Sequence, residues 1–176
     1  MAVSDRPMSI LGDNPPGKPN PSLHAYDIST GKLLWSTPAP DICTDDKGKS
    51  VKGCHPGLSA AVTVTESLVF APSLDGNIRV FDAHSGEAIW AFDTGREFES
   101  VNNGKAKGGA LVLGGAYLDA GQVFINADYG TFDQQGGNAI IVMEVDKYTC
   151  PQGVFYKSVL VASHSLIGLS HCSNDF

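Results

Sequence analysis

Few side chains in this 176-residue sequence have both the type and the placement to do chemistry. Asp75, in the run SLDGN, is the kind of residue that serves as a general base. Asp-Gly between two strand-like runs is also a hairpin turn signal, and Asp75 reads first as a turn residue. Asp128-Tyr129-Gly130 carries the same pair of readings. Glu97 and Glu99 read as a solvated face. His24, His55 and His84 lie in or beside turns and share no metal-ligand spacing, so no metal ligand is assigned. The run REFESVNNGKAKGG, Arg96 to Gly109, is richer. Arg96, Asn102 and Lys105 are hydrogen-bond donors, and Gly108-Gly109 permits close backbone approach because neither residue has a Cβ. Without further context this is a solvated loop whose charges keep it soluble, or a loop that holds a ligand.

Cys43 and Cys54 flank a hydrophilic loop, CTDDKGKSVKGC, which a disulfide would restrain where packing cannot. The alternative is two free thiols in a reducing compartment. Cys54-His55 resembles the end of a C-x-x-C-H haem attachment, but the first cysteine would fall at Val51, which excludes it. Cys150 and Cys172 form a second possible pair.

The elements that position these residues are written as a repeat. HAYDISTGKLLW (His24 to Trp35) and RVFDAHSGEAIW (Arg79 to Trp90) carry Asp, Gly and Trp at the same offsets, 55 positions apart. In each copy an alternating run leads to Asp-x-x-Ser/Thr-Gly and then to a second run ending in Trp. Asp bonds backbone amides within such a turn and Gly tolerates positive φ, so each copy is a strand–turn–strand hairpin. Strands are expected at 22–27, 32–37, 59–65, 67–72, 77–82, 87–92, 108–113, 122–127, 138–145 and 154–161. Four in a row with short turns make one propeller blade, and self-similarity at about 50 residues is the signature of stacked units. The fold class is all-β: a partial β-propeller of two to three four-stranded blades. A Pro/Gly-rich lead-in (1–21) precedes it, the propeller segment spans 22–147, and a C-terminal extension of unassigned role covers 148–176.

Composition agrees with this class. Hydrophobic residues make up 42% and charged residues 18%, with 20 glycines and 10 prolines, which suits short strands joined by many turns. A net charge of −7 without a basic patch argues against nucleic acid as a partner. The N-terminus shows no apolar signal segment, and reads as a start in mid-fold. The longest apolar run, 154–169, is interrupted by Lys157, His164 and two serines, so no membrane span is expected. Propellers generally close with at least four blades, so the open sheet flanks call for partners: remaining blades or a second copy.

Ala25-x-Asp27-x-x-Thr30-Gly31-Lys32-x-x-Trp35 resembles the tryptophan-docking motif of the pyrroloquinoline quinone (PQQ) enzyme repeat. The second copy keeps Asp82, Gly86 and Trp90, with Val80, Ser85 and Glu87 at more tolerant places. WAFDTGREFESVNNGKAKGGA (Trp90 to Ala110) is similar to a signature of polyvinyl-alcohol dehydrogenases and related PQQ-dependent alcohol dehydrogenases, with one extra residue in VNNGKAKGG. FINADYG and GGNAIIVMEVD resemble the last blade of that family. The resemblance covers residues 22–146. It implies that Trp35 and Trp90, with Gly31, Gly86, Asp27 and Asp82, dock one blade on the next. It also implies PQQ and calcium as cofactors, an alcohol substrate, a cytochrome or other electron acceptor, and an extracytoplasmic location.

PQQ carries three carboxylates, so Lys105, Arg96 and Asn102, with Gly108 and Gly109, are the candidate cofactor contacts. No calcium ligand or catalytic base is assigned. The function implied is that of the C-terminal part of a PQQ-dependent alcohol dehydrogenase for secondary or polymeric alcohols. The alternative is a non-catalytic propeller that binds or scaffolds proteins.

Overall fold

The computed structural model describes residues 2–3, 21–127, 130, 133–144 and 160–161. Asp128, Tyr129, Cys150, Cys172 and most of the lead-in and the C-terminal extension therefore lie outside the described residues, as does all but the end of the strand expected at 154–161. Among the described residues there is no helix, and so none long and apolar enough to cross a membrane.

The chain is a partial propeller of antiparallel sheets. The first sheet orders β1 (Ala2–Val3), β2 (Ser22–Tyr26) and β3 (Leu33–Pro38) side by side. The second is a four-stranded meander of β4 (Thr63–Val64), β5 (Leu68–Pro72), β6 (Asn77–Asp82) and β7 (Ala88–Asp93). A short ribbon of β8 (Glu97–Glu99) and β9 (Lys105–Lys107) follows. The last sheet orders β10 (Tyr117–Asp119), β11 (Gln122–Ala127), β12 (Ala139–Glu144) and β13 (Leu160–Val161).

The sequence repeat is a structural repeat down to its irregularities. The β2–β3 ladder shifts register between Ala25 and Tyr26, and the β6–β7 ladder shifts between Val80 and Phe81, the same place in the second copy. Each shift feeds the same turn. Asp27 Oδ1 accepts the Ser29 and Thr30 amides at 3.0 and 2.7 Å and both of their hydroxyls. Asp82 Oδ1 accepts the His84 and Ser85 amides at 2.9 and 2.7 Å and the Ser85 hydroxyl. The following glycine then takes a left-handed backbone, with φ of 70° at Gly31 and 74° at Gly86.

Side-chain alternation along the middle sheet sends apolar groups to both of its faces. Val69, Ala71 and Phe81 pack with Leu23 and Leu58, and Trp35 lies against this cluster. Phe70, Ile78 and Val80 pack with Val123, Ile125, Ile141 and Met143 of the last sheet. The middle sheet is thus sandwiched between its neighbours, which is why β5 and the centre of β6 are buried almost throughout. Trp35 crosses the first of these interfaces. Its Nε1–H donates to the Ala83 carbonyl at 3.0 Å, and Thr37 Oγ1 donates to the Gly86 carbonyl at 2.6 Å. A Cβ on Gly86 would stand 2.5 Å from two ring carbons of Trp35, so the indole needs a glycine beneath it. Trp90 stacks on Phe92 with centroids 5.9 Å apart and lies against the second core. The segment that would correspond to the Gly86 turn beyond Glu144 lies outside the described residues.

Two expected strands need correction, and one strand was not expected. The strand expected at 59–65 contracts to Thr63–Val64. Residues 108–113 form no strand, because their amides are taken singly by different loops: Gly108 N–H by Arg96, Ala110 N–H by Gln135 and Leu111 N–H by Ser73. The true edge strand of the last sheet is β10, joined to β11 by a two-residue turn in which Ala120 and Gly121 both have positive φ, 47° and 82°. That is the type I′ hairpin geometry, written here with Ala where Asn or Asp usually announces it.

The two turn glycines predict an asymmetric response. Gly31→Ala places a Cβ in open space and loses only the left-handed preference, about 1 kcal/mol. Gly86→Ala meets the Trp35 ring and is expected to lose about 1–3 kcal/mol more, measured by urea unfolding. Equal losses would show that the indole does not depend on that position. Hydrogen bonds from Ser29 and Thr30 hold the Asp27 carboxyl down at about 2, from an ordinary 3.8. Asp82 is lowered as well, first by the Ser85 amide. Because both folded values lie below the unfolded one, both turns contribute stability that is lost as pH falls; for Asp27 it is complete above about pH 4 and is lost as pH falls toward 2. Asp27→Asn should flatten the acid limb of the unfolding midpoint between those limits, and an unchanged acid limb would refute the assignment.

Candidate functional site

The antiparallel turns put the Asp-x-x-Ser/Thr-Gly hairpins at one end of the sheets and the long connections at the other. At that second end meet the loops 39–62, 73–76, 94–116 and 133–138. Cys43 and Cys54 are joined in a disulfide, Cα atoms 5.2 Å apart, which closes the first of these loops. Inside it Asp45 accepts the Lys47 and Lys49 amides at 2.9 and 2.7 Å.

Gln135 is the joint between these loops, and sequence reasoning missed it. Its amide donates to Gly53 O at 2.9 Å, its carbonyl accepts Ala110 N–H at 2.8 Å, and its Nε2 donates to Gly95 O at 2.6 Å. One residue thus links the disulfide loop, the end of β7 and the segment after β9. Thr94 adds a second link, its hydroxyl bonding the Gly76 and Gly109 carbonyls at 2.7 and 3.0 Å. Glycines fill this joint because backbones meet there. A Cβ on Gly108 would overlap the Thr94 carbonyl at 1.8 Å, and one on Gly109 would stand 2.4 Å from the Gln135 carbonyl. The close approach foreseen at Gly108-Gly109 is therefore occupied by the chain's own backbone. A glutamine in a Gly-rich loop gives no sequence signal of such a role.

The candidate donors lie on and beside the β8–β9 ribbon. Phe98 and Ala106 face inward, while Glu97, Glu99, Lys105 and Lys107 line its outer face. Cross-strand pairing sets Glu97 opposite Lys107 and Glu99 opposite Lys105. Lys105 Nζ stands 3.9 Å from Glu97 Oε2 with its side chain 86% exposed, so this pair is a solvated ladder of modest energy. Asn102 sits in the turn, where its side-chain oxygen accepts the Ser100 hydroxyl and Asn103 takes a left-handed backbone. Arg96 is the most fixed of the three. Its guanidinium lies 5.0 Å from the Phe92 centroid and 5.1 Å from that of Phe98, and these rings continue the stack begun by Trp90. Stacking holds the guanidinium plane while leaving its edge donors to point elsewhere. The ribbon brings Arg96, Lys105 and Lys107 onto one hairpin; Asn102 caps its far tip.

Asp75 does sit in a turn, with Gly76 at φ 81°, but it does more than turn the chain. Its carboxylate is completely buried and grips Arg79 bidentately, at 2.7 and 3.2 Å, while also accepting Asn77 N–H at 2.9 Å. A carboxylate so saturated anchors the β5–β6 turn and offers no lone pair toward solvent. His24, His55 and His84 do not converge. Among the described residues no group of three or more His, Cys, Asp or Glu could hold a metal ion.

Sandwiched sheets, a repeated Asp–Gly hairpin with Trp35 seated on Gly86, and built-out loops at one end define a partial propeller of PQQ-type repeats. Residues 17–140 match the PQQ_2 family, described as "Outer membrane protein assembly factor BamB", and the chain belongs to that family. It is 31% identical to a polyvinylalcohol dehydrogenase of Pseudomonas sp over 135 residues, 72% of this chain and 21% of that protein. It is 35% identical over 121 residues to a polyvinylalcohol dehydrogenase of Sphingopyxis sp. (strain 113P3), 66% of this chain and 18% of that one. Against the quinohemoprotein alcohol dehydrogenase of Comamonas testosteroni it is 30% identical over 111 residues, 61% of this chain and 14% of the relative. The chain spans about a fifth of the length of the polyvinylalcohol dehydrogenases it matches.

The buried pair gives a test of role. Asp75→Ala leaves the Arg79 guanidinium buried without its counter-charge and is expected to cost about 3–5 kcal/mol in urea unfolding. A loss below about 1 kcal/mol would mean that the carboxylate is not structural, since exposed pairs are worth no more than that.

Proposed function

We propose that this chain forms the C-terminal blades of a PQQ-dependent alcohol dehydrogenase acting on secondary or polymeric alcohols. Electrons would pass to a quinone, a cytochrome or an artificial dye. The observation that carries this reading is the similarity to alcohol dehydrogenases from several genera, among them a 1-butanol dehydrogenase (cytochrome c) of Thauera butanivorans, 38% identical over 72 residues. PQQ, when bound, accepts two electrons and two protons from the alcohol, which leaves as a carbonyl compound.

The chain's own part is placement and charge. Arg96, lying over the neighbouring Phe92 and Phe98 rings, presents donors suited to a carboxylate. Lys105 adds a mobile cation beside it, and Asn102 adds an amide at the ribbon tip. Gly108 and Gly109 lock the base of the ribbon to Thr94 and Gln135, so the donors stand on a braced support. Calcium would act as a Lewis acid on ligands supplied outside the described residues. The Cys43–Cys54 disulfide favours an oxidising compartment, and we place the protein outside the cytoplasm. The description of the matched family favours a second reading, a protein-binding propeller without catalysis.

A chimera separates the two. Residues 22–144 would replace the matching segment of the Pseudomonas enzyme, and the product would be loaded with PQQ and calcium. The expected result is PQQ-dependent dye reduction with polyvinyl alcohol or a secondary alcohol. Arg96→Ala should raise the PQQ concentration needed for half-activation about 10-fold or more, the worth of one charge-assisted hydrogen bond. A folded chimera that binds no PQQ would favour the scaffold reading.

A further inference from the structure

A run of contacts leads from the Cys43–Cys54 disulfide to the ribbon beside Arg96. Gly53, next to Cys54, accepts the Gln135 amide at 2.9 Å. The fit is close, because a Cβ on Gly53 would stand 3.3 Å from the Gln135 nitrogen. Gln135 then grips the far side twice, through Ala110 N–H on its carbonyl and its Nε2 on Gly95 O. Gly95 precedes Arg96, whose carbonyl accepts Gly108 N–H at 3.0 Å and closes the ribbon base. At the other end of the run, the disulfide is the covalent tie that holds Gly53 in reach. Two main-chain bonds repeat that tie in series, Val51 N–H to Cys43 O at 2.8 Å and Cys54 N–H to Val51 O at 3.1 Å. Val51 and Lys52 are exposed, so water competes for those bonds, as it cannot for the covalent one. Downstream the chain is fixed again at Gly57, whose carbonyl accepts Leu74 N–H and the Ser73 hydroxyl.

We propose that Cys43–Cys54 is a thiol–disulfide exchange site for a dithiol, and that Gln135 passes its oxidation state to the Arg96 ribbon. Cys43 is 4% exposed and Cys54 half-buried, so an incoming thiolate meets Cys54 Sγ. A new S–S bond forms there as the old one breaks, and Cys43 leaves as a thiolate that takes up a proton. The second thiol of the reagent then closes on the first, and Cys54 leaves in the same way. The dithiol ends as a disulfide, having given up two electrons and two protons, and the protein holds two thiols. The loop 44–53 gains the freedom that the cross-link had removed. Gln135 loses a fixed acceptor at Gly53, and its contacts to Gly95 and Ala110 loosen with it. An oxidant of the thiols restores the joint. Reduction therefore weakens the hold of Arg96 on a carboxylate ligand, a consequence that alone rests on the proposed function.

Amide hydrogen exchange of the full chain, read residue by residue by NMR, tests the site and its coupling. It is measured without PQQ, so it stands whether or not the chain binds that cofactor, and dithiothreitol serves as the dithiol. Reduction should speed exchange at Gln135, Ala110 and Gly108 at least about 10-fold, the scale of one ordering hydrogen bond. Val69 and Phe81, paired in the middle sheet, should keep their rates. Cys43→Ser/Cys54→Ser should show the fast rates without dithiothreitol and no response to it, which separates this pair from Cys150 and Cys172. Gln135→Ala keeps the main-chain bonds and removes the one to Gly95. In that variant Ala110 should still respond to reduction and Gly108 should not. Acceleration confined to 44–53, or a response that survives in the double cysteine variant, overturns the proposal. So does acceleration that extends to Val69 and Phe81, which would report general unfolding.

Discussion

One contact organises this molecule: the Trp35 indole laid on Gly86 with its N–H on the Ala83 carbonyl. A large, flat side chain can reach the backbone of the next sheet only where that backbone has no Cβ. A glycine with positive φ is stable there only because the Asp82 carboxylate holds the turn. Asp, Gly and Trp are thus parts of one device, divided between two neighbouring sheets. The Asp and Gly prepare a seat on one, and the Trp arrives from the other. With the outer edge pinned in this way, the facing strands can bury Leu23, Val69, Ala71 and Phe81 between them.

The middle sheet shows what the device accomplishes. Its two faces are covered by different neighbours, so β5 and β6 carry apolar residues on both sides instead of alternating with polar ones. Within the buried centre of β6 the exception is Arg79, whose charge is met by the equally buried Asp75. Such a pair gains little over an apolar substitute, yet loses much if halved. Its effect is to fix the β5–β6 turn at the end where the long loops gather. Gln135, Thr94 and the facing glycines then tie those loops together through main-chain groups. The donors singled out for a ligand stand on the β8–β9 ribbon beside this bracing, where Arg96 lies over aromatic rings and Lys105 is in solvent.

The repeat hairpins were legible because their signals are local. Asp caps amides two and three residues on, Gly adopts positive φ, and strand alternation marks the flanking runs. The disulfide loop was legible for a similar reason, as a short hydrophilic stretch between two cysteines. Residues 108–113 misled because an apolar run beside glycines looks like a strand, whereas its amides are bonded one by one to Arg96, Gln135 and Ser73. Strand β10 was hidden because its turn uses Ala120, whose positive φ is enforced by the hairpin and not advertised by residue type. Gly108 and Gly109 were singled out for close approach to a cofactor, and the groups that stand against them within the chain are the Thr94 and Gln135 carbonyls.

By itself, then, the sequence determined the all-β class, the repeated hairpin and the pairing of Cys43 with Cys54 as one of two readings, since each depends on groups near one another along the chain. Tertiary structure decided what each repeated residue does. Gly31 and Gly86 are the same residue in the same turn with the same φ, yet one lies open and the other lies under an indole. Asp75 could be a turn residue or a base until Arg79 was seen to saturate it. These outcomes turn on what a neighbouring sheet brings within contact distance, and no local pattern encodes that.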